Sequence, residues 1–243
     1  MKTWIFDVDV TLTPSRSKID PEFEDFFYFW VTNNDTYLCS GSDLDKIKEQ
    51  LTPRILNSVK GVFTCMANVY HEKGEEVYKN DFIPPEGLEE DLNNVLQTSE
   101  FKNRTGNHVE KRSGAWNFSE VGRNAIPAER EEYKQWDDVH NSRQRICKLL
   151  NNKYGDKIDT SLGGDISIDI CNKGGDKRQV VEYLSDLDYE NVIFVGDRIH
   201  PGGNDYALAV AIEAAGGKYH KVSNWRDTRN FLSERIIIKN LTT

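Results

Sequence analysis

The 243-residue sequence predicts an α/β fold: a parallel-sheet core interrupted by an inserted α+β unit built on an antiparallel sheet. Three observations predict it. Residues 4–6 (Trp-Ile-Phe) and 191–196 (Asn-Val-Ile-Phe-Val-Gly) are short apolar runs near opposite ends of the chain, and each delivers an aspartate, Asp7 or Asp197. Runs this short read as buried strands rather than helices, and open α/β sheets gather their ligands at the carboxyl ends of such strands. Between Pro84-Pro85 and about Gly175 the pattern changes to polar helices and alternating strands, as expected where helices cover one face of an antiparallel sheet. The expected division is a core of residues 1–83 and 176–243 around an insertion of residues 84–175.

In chain order, residues 14–18 form a loop after the first strand, and Asp20-Pro21 opens a helix, with Asp20 as N-cap and Pro21 in the first turn. Phe23, Phe26, Phe27 and Trp30 make its core-facing stripe. Residues 36–39 are a second strand, ending in Ser40-Gly41-Ser42-Asp43, where Ser42 or Asp43 caps a helix over 44–51. Small hydroxyls before a helix N-terminus suit an anion, because the backbone N–H groups there are unpaired; plain capping explains them equally. Residues 61–66 are a third strand and 69–78 a hairpin around Lys73-Gly74. In the insertion, helix is expected at 89–101 and strand at 109–118 with a turn at Ser113-Gly114. One long charged helix follows at 128–153, then a half-buried strand at 165–170. Helix at 180–184, the strand at 191–196, the Gly-rich loop 201–205 and a helix over 206–215 return the chain to α/β style.

The net charge of −9 argues against a nucleic-acid or anionic-membrane partner and requires a local basic pocket if the substrate is a phosphate. Cys39, Cys65, Cys147 and Cys171 are scattered, with no Cys-x-x-Cys pair, as in a cytoplasmic protein. No apolar run approaches membrane-spanning length, and the N-terminus has no secretory pattern.

The chemistry-bearing residues are ordered along the chain. Two carboxylates as close as Asp7 and Asp9 repel unless a cation lies between them, and an aspartate is a competent phosphoryl acceptor. Asp7 and Asp197 at strand ends, with Asp205 beyond the Gly-rich loop, offer the hard oxygen donors that Mg²⁺ prefers. Lys177, where the insertion returns to the core, is placed to neutralise a nucleophile and phosphoryl oxygens. Asp7-x-Asp9-x-Thr11, Ser40-Gly41-Ser42, Lys177 and Gly196-Asp197 together resemble, in order and position, the four-part pattern of the haloacid dehalogenase (HAD) superfamily of phosphotransferases. The resemblance implies a HAD-like Rossmannoid core with a cap domain.

A closer resemblance covers nearly the whole chain. Asp7-Val8-Asp9, Thr11-Leu12-Thr13-Pro14, Arg16, 18–22 and Gly41-Ser42-Asp43 resemble the start of a eukaryotic-type phosphomannomutase. Arg112, Asn117, Ser119, Gly122-Arg123, Glu129-Arg130, Gly163-Gly164, Ile166-Ser167 and Asp169 resemble that family's cap, and Asp176-Lys177-Arg178 its return to the core. Phe194, Gly196-Asp197 and 201–205 resemble its metal loop.

The resemblance implies Asp7 as nucleophile and Asp9 as general acid/base, with Mg²⁺ held by Asp7, the Asp9 carbonyl and Asp197. It implies that Arg16, Arg112, Arg123, Arg130, Ser167 and Asp169 hold a hexose phosphate, the three cap arginines gripping the phosphate that is not reacting. It further implies a hexose 1,6-bisphosphate activator and a homodimer through the cap. Ser167 and Asp169, two apart on a strand, share a face and suit sugar hydroxyls.

The chain departs from the family at Val10, where Gly is usual, and at Ala67-Asn68-Val69, usually acidic-Asn-Gly. The family's loop for an extra cation has no match in residues 206–209. The leading expectation is Mg²⁺-dependent interconversion of mannose 1-phosphate and mannose 6-phosphate. A phosphatase of sugar or nucleotide monophosphates is second, and a non-catalytic sugar-phosphate sensor third.

Overall fold

A computed structural model describes residues 2–241, with the side chains of 237–241 outside the description. Positions 1, 242 and 243, which the expected core segments include, also lie outside the described residues. Strands β1 (Thr3–Phe6), β2 (Asp35–Cys39), β3 (Gly61–Thr64), β4 (Val69–Glu72), β5 (Glu75–Lys79), β10 (Val192–Gly196) and β11 (Lys218–Lys221) form one sheet, ordered β11-β10-β1-β2-β3-β4-β5. Its first five strands run parallel, and β4 and β5 add an antiparallel hairpin at one edge. β1 is central and wholly buried, as its apolar sequence requires of a strand covered on both faces.

Helices cover both faces. On one, α1 (Pro21–Asn33) buries Phe23, Phe27 and Trp30 against Trp4 and Phe6, with Trp30 edge-on to Trp4 at 4.9 Å between ring centroids. α2 (Leu44–Gln50), α3 (Pro53–Leu56) and α9 (Trp225–Leu241) complete that layer. The other face holds α7 (Gln179–Tyr183) and α8 (Tyr206–Ala214), packed on Ile5, Phe63 and Phe194. Asp20 caps α1 through the N–H groups of Glu22 and Phe23, and Asp43, not Ser42, caps α2.

A second sheet, ordered β6-β7-β9-β8, is fully antiparallel: β6 (Val109–Arg112), β7 (Ala115–Phe118), β8 (Ile158–Gly163) and β9 (Ser167–Asn172). α4 (Leu88–Thr98), α5 (Pro127–His140) and α6 (Ser142–Tyr154) belong to the same unit, and α4 and α6 pack on the sheet through Leu92, Trp116, Phe118, Leu150 and Ile168.

The structure departs from the sequence expectations in instructive places. The helix expected over 128–153 is two helices, broken at Asn141, which takes a left-handed conformation (φ 53°) that a polar Asn tolerates. The strand expected to be half-buried is β9, buried on both faces over 167–171, because its polar face looks into an enclosed site rather than into solvent. β8, β11, α3 and α9 were not expected from the sequence. Among the described residues, no helix is long and apolar enough to cross a membrane.

Candidate active site

The parallel register places Phe6 beside Val195 on one side and Leu38 on the other. The residues that follow these strands, Asp7, Asp197 and Ser40, therefore crowd one end of the sheet. The four-stranded sheet roofs this end and encloses a cavity of about 560 Å³. Asp7, Asp9, Ser40, Ser42 and Asp197 line it from below; Arg112, Arg123, Arg130, Ser167 and Asp169 line it from above. Arg16 and Arg198 also reach it.

Asp7, Asp197 and Asp205 bring carboxylate oxygens within 4.8 Å of one another. Lys177, with no exposed surface, is wedged among them: its Nζ donates to Asp7 Oδ1 at 2.6 Å and Asp205 Oδ1 at 2.7 Å. Asp205 also accepts from the Arg198 N–H. Gly196 is required by packing here, since a Cβ on it would lie 2.7 Å from Asp205 Oδ2. Burial, only partly offset by Lys177, pushes Asp7 up to about 7; burial and the Asp205 and Asp7 charges push Asp197 up to about 8. Lys177, with Arg198 Nε 3.8 Å from Asp197 Oδ2, does not balance three carboxylates. An all-oxygen donor set short of positive charge fits a hard divalent cation.

Asp9 accepts from the Arg16 N–H at 2.7 Å and from Gln50 Nε2 at 3.0 Å, both at Oδ1. Gln50 is buried and also donates to Thr13 Oγ1, which fixes its amide against the acid. Directly after Asp9, Val10 holds φ at +68°. A β-branched residue in the left-handed region costs about 1–2 kcal/mol. Val10→Gly is expected to raise the melting temperature by about 3 °C; an unchanged or lower value in thermal unfolding would show that this loop is unstrained.

The arginines meet one another as well as acids. Arg112 and Arg123 share Glu110 Oε2, at 2.5 Å and 3.1 Å, while Lys46 reaches across from α2 to Glu110 Oε1 at 2.6 Å. Burial works against the Glu110 charge, but Arg112, Lys46 and Arg123 overcome it and hold this carboxylate down at about 2. Arg112 also donates to the Gly41 carbonyl, and Arg123 Nη1 to Ser167 Oγ at 3.4 Å. Arg123 is pushed down to about 10 by burial and by the neighbouring guanidinium groups of Arg16, Arg112 and Arg130. At this end the arginines outnumber the carboxylates they contact, Glu110 and Asp169, as carboxylates outnumber cations at the other. Asp169 accepts from Asn117 Nδ2 at 2.6 Å, and Gly163 is fixed by the approach of that carboxylate, 2.4 Å from where its Cβ would stand.

Every residue given a catalytic, metal or substrate role from the sequence thus lies at this cavity, except that Lys177 and Asp205 are buried just behind its carboxylate end. The sequence reading missed Gln50, Lys46 and Glu110. Gln50 and Lys46 sit in a polar helix with no local signal; only their contacts across the chain reveal them.

A carboxylate cluster at the parallel-strand ends, a buried lysine behind it and a roofing insertion form the arrangement expected from the resemblance to the haloacid dehalogenase phosphotransferases. A haloacid dehalogenase-like hydrolase from Bacteroides thetaiotaomicron shares the fold (TM-score 0.57, 13% identity, 97% of this chain and 99% of that one). Residues 24–238 match the family described as eukaryotic phosphomannomutase, and the chain belongs to that family. Relatives include phosphomannomutase 1 of Dictyostelium discoideum, 34% identical over 95% of this chain and 94% of the relative. The phosphomannomutase of Drosophila melanogaster is 34% identical over 95% and 93%.

Proposed function

We propose that this protein interconverts mannose 1-phosphate and mannose 6-phosphate by phosphoryl transfer through Asp7. The supporting observation is the charge arrangement of one cavity, carboxylates wanting a cation at one end and guanidinium groups wanting an anion at the other. A sugar carrying a phosphate at each end of its ring complements both.

In this reading residues 84–175 are the cap and 1–83 with 176–243 the catalytic core. Asp7, Asp197 and the Asp9 carbonyl would hold Mg²⁺, with Asp205 behind them; when bound, the ion supplies charge neutralisation for the phosphoryl oxygens. Lys177 occupies Asp7 Oδ1, so Oδ2, which among the described residues meets only Thr11 Oγ1 at 3.3 Å, is the attacking oxygen. A hexose 1,6-bisphosphate would load Asp7 for the first cycle: Asp7 bonds to phosphorus as the bond from phosphorus to the sugar oxygen breaks, and Asp9 gives that oxygen a proton. Mannose 1-phosphate then meets the loaded Asp7: Asp9 takes a proton from its 6-hydroxyl, that oxygen attacks the phosphorus, and the Asp7 carboxylate leaves, forming a mannose 1,6-bisphosphate. With the sugar turned end for end, Asp7 takes the phosphoryl group from position 1 and Asp9 protonates the departing oxygen, so mannose 6-phosphate is released and Asp7 is loaded again.

Arg112, Arg123 and Arg130 hold the phosphate that is not reacting, with Arg16 beside them. Ser42 offers its hydroxyl at the reacting end, its N–H donating to Ser40 Oγ at 3.1 Å, and Ser167 and Asp169 meet the sugar hydroxyls. A closed roof excludes water, which favours transfer to sugar over hydrolysis. The four cysteines are unpaired, which suits a cytoplasmic enzyme.

Purified protein with Mg²⁺ and mannose 1-phosphate is expected to form mannose 6-phosphate only when a hexose 1,6-bisphosphate is added, with little free phosphate. Free phosphate as the sole product would overturn the mutase reading and leave a phosphatase.

A further inference from the structure

Glu120 is a buried carboxylate that the proposed chemistry does not use. It is 2% exposed. Its Oε1 accepts from Ser99 Oγ at 2.5 Å and its Oε2 from the Tyr133 hydroxyl at 2.7 Å. Among the described residues no cation pairs with it, and its partner Tyr133 belongs to an apolar cluster with Phe101, Val121, Ala125 and Ile166. An apolar side chain would fill such a place without the desolvation that a carboxylate suffers there. What the carboxylate provides instead is a fixed distance between two elements.

Those elements carry the arginines. Glu120 lies three residues before Arg123 on the loop after β7, and Tyr133 lies three residues after Arg130 on α5, about one helical turn along. Arg130 reaches back over the same loop: its Nε donates to the Ala125 carbonyl at 2.8 Å and its Nη2 to the Arg123 carbonyl at 3.2 Å. The links close a ring, running from Glu120 to Tyr133, along α5 to Arg130, across to the Arg123 carbonyl and back along the loop. Ser99, at the end of α4, ties the ring to the rest of the inserted unit.

We propose that Glu120 is a positioning residue, which through Tyr133 and Ser99 fixes the Arg123 and Arg130 guanidinium groups at the spacing that grips a phosphate. The proposal rests on the reading of these arginines as the phosphate clamp, and it holds whichever sugar the phosphate belongs to.

The test is a double-mutant cycle read by calorimetric binding of inorganic phosphate, with kcat and KM for mannose 1-phosphate measured in parallel. Glu120→Gln and Tyr133→Phe each keep the shape of the side chain; the first takes the charge from the acceptor and the second removes the donor of the same link. Each is expected to raise the phosphate Kd about tenfold, as misplaced binding groups do. The double variant is expected to be no worse than either alone, because the two residues act as one unit. In an Arg123→Ala background Glu120→Gln is expected to add nothing. A purely structural role would lower the melting temperature and leave Kd unchanged, and that result overturns the proposal. So would a Kd loss that persists undiminished without Arg123, or wild-type protein that binds no phosphate. Absence of mannose 1-phosphate turnover together with the expected Kd pattern would instead refute the mannose reading and leave Glu120 in its role.

Discussion

Asp7→Asn is expected to abolish phosphoenzyme formation and to lower kcat by about 10⁴-fold or more, the scale on which removal of a covalent nucleophile acts. The substitution preserves shape, and an amide oxygen still accepts from Lys177, so the loss isolates nucleophilicity. The fold should not suffer. In protein stripped of divalent cations, burial has raised Asp7 from 3.8 to about 7. Across that interval the folded state binds a proton that the unfolded state has released, so stability falls as pH rises. The asparagine variant escapes this loss. Its melting temperature in chelator should therefore gain on the wild type between pH 4 and pH 7, and added Mg²⁺ should shrink the difference. Wild-type turnover in the variant would remove Asp7 as the nucleophile. A melting-temperature gap that stays flat with pH would show that its carboxylate is not crowded.

The parts of this fold that were legible in the sequence are those whose signal is local. Residues 4–6 and 191–196 announce strands by their apolar character, and their terminal aspartates become neighbours because both strands run parallel in the sheet. Asp20 is read as a cap, and Asp43 as one of two candidates beside Ser42, because capping is decided within three residues. What was not legible depends on what lies opposite. β8, with Asp-Thr-Ser in its middle, becomes a strand through pairing with β9, and β11 (Lys-Tyr-His-Lys) through pairing with β10. Residues 128–153 keep helical periodicity through Asn141, so only the backbone reversal there divides them. At the site, Asp7 and Asp9 lie beside each other in a recognisable pattern. The Gln50 contact with Asp9 spans 41 positions, and the Lys46 contact with Glu110 spans 64. Residue types alone carry no trace of such pairs.

Lys177→Met tests whether charge balance and catalysis at this site are one function or two. Lys177 is the only cation wedged between Asp7 and Asp205 among the described residues, and it is fully buried. Its removal leaves two buried carboxylates facing each other, a loss of about 3–5 kcal/mol by analogy with other broken buried pairs. In a chain of this length that corresponds to about 10 °C in melting temperature. Lys177→Arg is no remedy, because a wider, forked guanidinium does not fit a cavity closed around an ammonium. Adding Asp205→Asn to Lys177→Met removes the second buried charge and should recover most of the stability. Activity should not return with it, because Asp7 Oδ1 then lacks the ammonium that holds it and leaves Oδ2 to attack, and the phosphoryl oxygens lack their nearest protein cation. If kcat recovered along with the melting temperature in the double variant, Lys177 would be a counter-ion for Asp205 and nothing more. Recovery of folding without turnover, with Asp205→Asn alone still active, would place it in the transfer step itself.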